Sequence, residues 1–132
     1  MRAFLATILL SVFAVAGPHR TARTLPEGSG DPVLRLIRMV GTTEAEFSAS
    51  EGGYVSLAAL LKHRNFRGYA SKLELIDSTS AKTGGYILSV IPSADGKRFQ
   101  VSLVPEQGCG VAYFSSENYL IYQGKGLGCP ER

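Results

Sequence analysis

Residues 86–104 read YILSVIPSADGKRFQVSLV, two runs rich in Ile, Leu, Val and Phe on either side of PSADGK. Strand side chains alternate, so Tyr86, Leu88 and Val90 share one face and Ile87, Ser89 and Ile91 the other. Ala94-Asp95-Gly96 supplies the turn chemistry of a hairpin between the two runs. Two more runs follow, VAYFS at 111–115 and YLIYQ at 119–123, set off by PEQGCG and by SEN. The pattern predicts a four-stranded antiparallel meander whose last pair turns near Ser116-Glu117-Asn118.

One face of such a sheet needs a cover, and the chain provides one upstream. Asp31 is an N-cap residue and Pro32 suits the first helical position, where its missing N–H needs no partner. Val33, Leu36, Ile37, Val40, Glu44 and Phe47 recur at three- and four-residue spacing, which predicts an amphipathic helix over about 32 to 50. Gly41 inside it costs about 1 kcal/mol against alanine and marks a weak or kinked middle. Gly52 and Gly53 end it. The carboxylates Glu44, Glu46 and Glu51 lie at helical spacing and read as a solvated face. YVSLAALLKHRN, residues 54–65, reads as a second, shorter helix with Leu57, Leu60 and Leu61 inward. From Tyr69 to Thr83, apolar LELI is mixed with Ser, Thr and Lys, which reads as an irregular connection. The plan is α+β, an N-terminal amphipathic helix packed on a four-stranded antiparallel meander.

The compartment decides how the two cysteines, Cys109 and Cys129, are read. Residues 3–17, AFLATILLSVFAVAG, are an uncharged apolar run after a basic start and end in Ala14-Val15-Ala16. This is the pattern of a signal peptide over residues 1–16. A spanning helix needs about 20 apolar residues, and this run stops at Pro18, so no stable membrane insertion is expected after cleavage. Residues 17–30, rich in proline, glycine and charge, read as a flexible leader, and residues 31–132 as one domain. Export places the chain in an oxidising periplasmic or extracellular setting, where two cysteines are most simply one disulfide. Neither cysteine has a second thiol or imidazole at ligand spacing, so no metal is expected. Closing a loop of roughly 20 residues stabilises a fold by about 3 kcal/mol.

The chain of 132 residues carries 14 Lys and Arg against 11 Asp and Glu, a formal charge of +3. That weak and scattered excess argues against nucleic acid as a partner, and the one basic cluster, KHRNFRGYASK, reads as a solvated face. Candidate chemistry is sparse. His63 pairs in principle with Cys109 or Ser115, but no Gly-x-Ser-x-Gly turn is present and His63 lies between Lys62 and Arg64. GKGLG at 124–128 has no helix after it to support a phosphate. No catalytic residue and no cofactor are expected.

The order of elements and certain residues resemble a family. LRLIRMVGTTEAEFSASEGGYVSLAALL, residues 34–61, is similar to the helix that leads into a Gly-Tyr loop in pilin-like proteins. Tyr86 follows Gly84-Gly85 at the start of a strand, Pro105 ends the next, and Gly108 and Gly110 precede Tyr113-Phe114. Cys109 and Cys129 match a C-terminal cystine loop. From about Val33 to Pro130 the chain resembles the periplasmic part of a type IV pilin or pseudopilin. It departs from that family at the start, where neither the Gly-Phe processing junction nor the following glutamate is found. The resemblance implies an exported, non-enzymatic interaction protein with a protein partner in the cell envelope or a filament, associated with a type IV pilus or a type II secretion-like system. Tyr113, Tyr119 and Tyr122 are its candidate interaction surface. The alternative is a small secreted hydrolase or inhibitor, which a cleft with converging polar groups would favour over a shallow face with exposed Tyr119 and Tyr122.

Overall fold

The structure, a computed structural model, describes residues 31–126 and residue 129. The expected signal peptide (1–16) and leader (17–30) lie outside the described residues, as does part of GKGLG. The first element is α1, Pro32–Glu51. Asp31 caps it, its Oδ1 accepting from the Val33 N–H at 2.9 Å. Gly52 closes it in a left-handed conformation, its N–H donating to Ser48 O. Leu36, Ile37 and Val40 turn into the core. So does Glu44, which corrects its reading as part of a solvated face: the helical period carries it inward although its charge argues for water.

The second helix is a single turn, α2 (Leu57–Leu60), with Leu57 and Leu60 buried and Leu61 half-buried. A 3-10 turn at Arg64–Phe66 and a further helical turn, α3 (Arg67–Ala70), follow. Phe66 is buried with no exposure to solvent.

Six strands then form one antiparallel sheet in sequence order: β1 (Glu74–Leu75), β2 (Ser80–Thr83), β3 (Tyr86–Pro92), β4 (Phe99–Pro105), β5 (Val111–Ser116) and β6 (Tyr122–Lys125). Four strands were expected, and the connection from Tyr69 to Thr83 supplies the other two. They escape a pattern search because β1 has two residues and β2, Ser-Ala-Lys-Thr, has one buried apolar side chain, Ala81. Their pairing follows from a local signal. Gly84 and Gly85, both at positive φ, form a two-residue turn that pairs Thr83 with Tyr86 and Ser80 with Ser89.

The β3–β4 hairpin pairs Ile87 with Val104 and Val90 with Val101. Its turn is held by Asp95, which accepts from the Lys97 N–H at 3.0 Å, and by the bond from Gly96 N–H to Ser93 O at 2.9 Å. The inward set is Leu88 and Val90 with Tyr86 half-buried, packed with Phe99, Val101 and Leu103 against Leu36, Ile37 and Val40 of α1. Burying each such side chain contributes about 1.5–3 kcal/mol. The last strand is shifted relative to YLIYQ. Tyr119 adopts φ 59° in the turn after β5, its N–H donating to Ser116 O at 2.8 Å, and pairing resumes only at Tyr122. Cys109 and Cys129 are joined, with Cα atoms 5.4 Å apart.

Candidate functional site

Among the described residues the helices pack on one face of the sheet, and the other stands open. The pleat sends Ile87, Ile91, Val104, Phe114 and Tyr122 to that face, alternating with Ser89, Gln100 and Ser102. Ile91, Val104, Phe114 and Tyr122 are exposed. Register brings them together: Ser102 lies opposite both Ser89 and Phe114, and Phe114 opposite Tyr122. A shallow trough of about 330 Å³ runs between Ser89, Ile91, Gln100, Ser102, Phe114 and Tyr122. These six side chains are uncharged, and their hydroxyl and amide groups border two aromatic rings. Such a surface can bury apolar area against a partner while satisfying that partner's polar groups.

The three tyrosines singled out from the sequence are not brought together. Tyr113 points inward, its ring 6.5 Å from that of Tyr86 and its hydroxyl donating to Asp31 Oδ2 at 3.2 Å. Burial, then the Asp31 carboxylate, raises its pKa above the usual phenol value. Tyr119 lies on the helix side of the turn after β5, over Gly41, and Tyr122 alone belongs to the open face. Sequence reasoning missed Phe114, Ile91 and Val104 as surface residues. The alternation that places Leu88 and Val101 inside places them outside, so the signal was present.

The pairings considered for nucleophilic chemistry are not assembled. His63 holds Glu46, Nε2 to Oε2 at 3.4 Å, while its Nδ1 accepts from the Asn65 N–H and its ring stacks obliquely on Phe47 at 5.4 Å. Cys109 is engaged in the disulfide. Among the described residues, no three His, Cys, Asp or Glu side chains are grouped as metal ligands would be.

A second polar cluster lies inside the fold. Glu44, with no exposure to solvent, accepts from the Val55 N–H through Oε2 at 3.0 Å, while its Oε1 has no partner among the described residues. Burial pushes its pKa up to about 7, against the lowering effect of the Val55 bond. Beside it stand Tyr54, whose ring packs on Phe99 at 4.7 Å, and Tyr119, whose ring lies 6.1 Å from Phe99. The two phenol oxygens are 3.4 Å apart. Among the described helices none is long and apolar enough to cross a membrane. Compared with known proteins, the chain matches no family model, no curated protein and no solved structure.

Proposed function

We propose that this chain is an exported, non-enzymatic interaction domain that recognises a protein partner of the cell envelope, or of a filament, through the open face of its sheet. The observation that carries the reading is the uncharged patch formed by Ile91, Phe114 and Tyr122 with Val104, on a sheet whose opposite face packs on the helices. Exposed aromatic residues on a rigid sheet are the kind of anchor that protein interfaces use. The disulfide supports an oxidising compartment, as does the apolar run at 3–17. The helix-on-meander plan with a C-terminal cystine is compatible with the pilin-like resemblance, which is the source of the filament as a partner.

The test uses a photo-reactive side chain at Gln100, beside Ile91 on the open face, and a control at Arg35, on the exposed side of α1. In cells exporting the protein, Gln100 should crosslink to one discrete envelope protein that Arg35 does not reach. Tyr122→Ser should abolish that product without changing the melting temperature. Equal crosslinking from both positions, or a product indifferent to Tyr122, would overturn the reading.

A further inference from the structure

Glu44 is the one carboxyl group among the described residues that is fully buried, and the reading of the open face makes no use of it. It is held by one N–H, from Val55, where an ionised carboxylate takes several donors or a cation. Neither of the ion pairs among the described residues includes it. The titratable groups on the segments packed beside it are two phenols: Tyr119 from the turn after β5, which the Glu44 charge reaches, and Tyr54 from the loop after α1, whose hydroxyl lies 3.4 Å from that of Tyr119. Behind Tyr119 lies Glu117, and Arg38 lines the outer wall of the adjoining cavity. Elsewhere the packed elements present apolar groups, Leu57 and Leu60 from α2, Val90 from β3 and Phe99 and Val101 from β4.

Tyr119, itself 45 % exposed, lays its ring on α1 at Gly41, three residues before Glu44, and is held there against its own backbone. A non-glycine residue at φ 59° is unfavourable by about 1 kcal/mol, so packing of the ring must hold it. Gly41 is its seat. A Cβ at that position would lie 3.2 Å from Tyr119 Cδ1, so glycine lets the ring sit close where the helix's own stability favours alanine. Tyr119 also forms one wall of a cavity of about 430 Å³ with Ile37, Gly41, Ala45 and Ile121. An anion at Glu44 has one donor among the described residues, the Val55 N–H, so its ionisation requires the packing around it to open to water.

We propose that Glu44 and Tyr119 form a proton-operated latch: with Glu44 protonated, Tyr119 stays seated on Gly41, and when Glu44 ionises Tyr119 leaves α1 and the segment from Ser116 to Ile121 loosens. The proton passes to solvent and no covalent bond changes. The side chain's ordinary ionisation lies near pH 4.5 and burial moves it to about 7, so the change falls within the range an exported protein meets.

Amide exchange of the full exported protein, expressed as protection factors at about pH 5.5 and about pH 8.5, tests the latch. Protection of the Tyr119 and Leu120 amides should fall roughly tenfold or more in the wild type between these values, while the β3–β4 hairpin stays protected. In Glu44→Gln the protection should not change with pH. Gly41→Leu, whose side chain cannot fit beneath the ring, should give low protection at both values. A carboxyl carbon NMR titration of the unaltered protein keeps the question open to refutation where a variant fails to fold. The Glu44 signal and the Tyr119 ring signals should move with one midpoint. Protection independent of pH in the wild type, the same pH dependence in Glu44→Gln, or separate midpoints would each overturn the latch.

Discussion

Glu44 occupies a position that the helical period reserves for an apolar side chain, one turn after Val40 and three residues before Phe47. The spacing of Val33, Leu36, Ile37 and Val40 foretells an inward side chain there, whereas its charge and the neighbouring Glu46 foretell a solvated one. The period wins because the α1 backbone is fixed by many apolar contacts and a single carboxyl group can be accommodated by remaining neutral. This has a consequence for stability that is separate from any local opening. With its pKa raised from 4.5 to about 7 in the folded state, Glu44 binds its proton more tightly folded than unfolded. Its favourable contribution is present in full below about pH 4.5 and is lost as pH rises through about 7. The loss, discounted for screening by solvent, is on the order of 2 kcal/mol. Urea denaturation at several pH values should show it in the wild type and not in Glu44→Gln. Parallel pH profiles for the two proteins would mean that Glu44 ionises freely in the folded state.

At the scale of elements, what was legible in the sequence depended on length and on side-chain uniformity. Strands β3 and β4 are seven residues each and alternate cleanly, so their hairpin and the facing of Leu88 and Val90 follow from the pattern. The first two strands are too short to alternate, and only the Gly84-Gly85 turn betrays them. The final strand was displaced because the apolar character of Tyr119, Leu120 and Ile121 says that they are sticky, not that they pair. Tyr119 is used against α1 and pairing starts three residues later. Of the candidate site, the aromatic content was legible, but its division between two faces needed the register. Asp31 shows how a local signal acquires a distant use: chosen as a helix cap, it also receives the Tyr113 hydroxyl and so ties α1 to β5. Asp31→Ala should lower stability by about 1–2 kcal/mol, more than a cap in isolation, because a buried hydroxyl loses its partner as well. In a double-mutant cycle with Tyr113→Phe, denaturation should reveal a coupling of roughly 0.5–1 kcal/mol. Strict additivity would show that the cap and the strand are independent.

At the scale of the whole molecule the described strands form a meander in which each pairs with its sequence neighbours, and none of them joins one end of the sheet to the other. Its last strand has a partner on one side only and lies outside the span that α1 covers, with Tyr122, Gln123 and Lys125 exposed. Four backbone pairs to β5 are a weak hold for an edge of this kind. The disulfide compensates by tying residue 129 to residue 109, at the head of β5, so that the chain beyond β6 is brought back beside the strand's own partner. The fit is close at this point, since a Cβ on Gly126 would lie 2.8 Å from Gly108 O. Removing both thiols, Cys109→Ser with Cys129→Ser, should therefore lower stability by about 2–4 kcal/mol, chiefly through the greater freedom of the unfolded chain. The loss should be uneven. Amide protection should drop along Tyr122–Lys125 and stay nearly unchanged in β3 and β4, whose packing on α1 does not involve the clasp. Because Tyr122 belongs to the open face, crosslinking from Gln100 should weaken in this variant in proportion to the disorder of β6. A uniform loss of protection across the sheet would show instead that the disulfide supports the core as a whole, and an unchanged melting temperature would remove it as a source of stability.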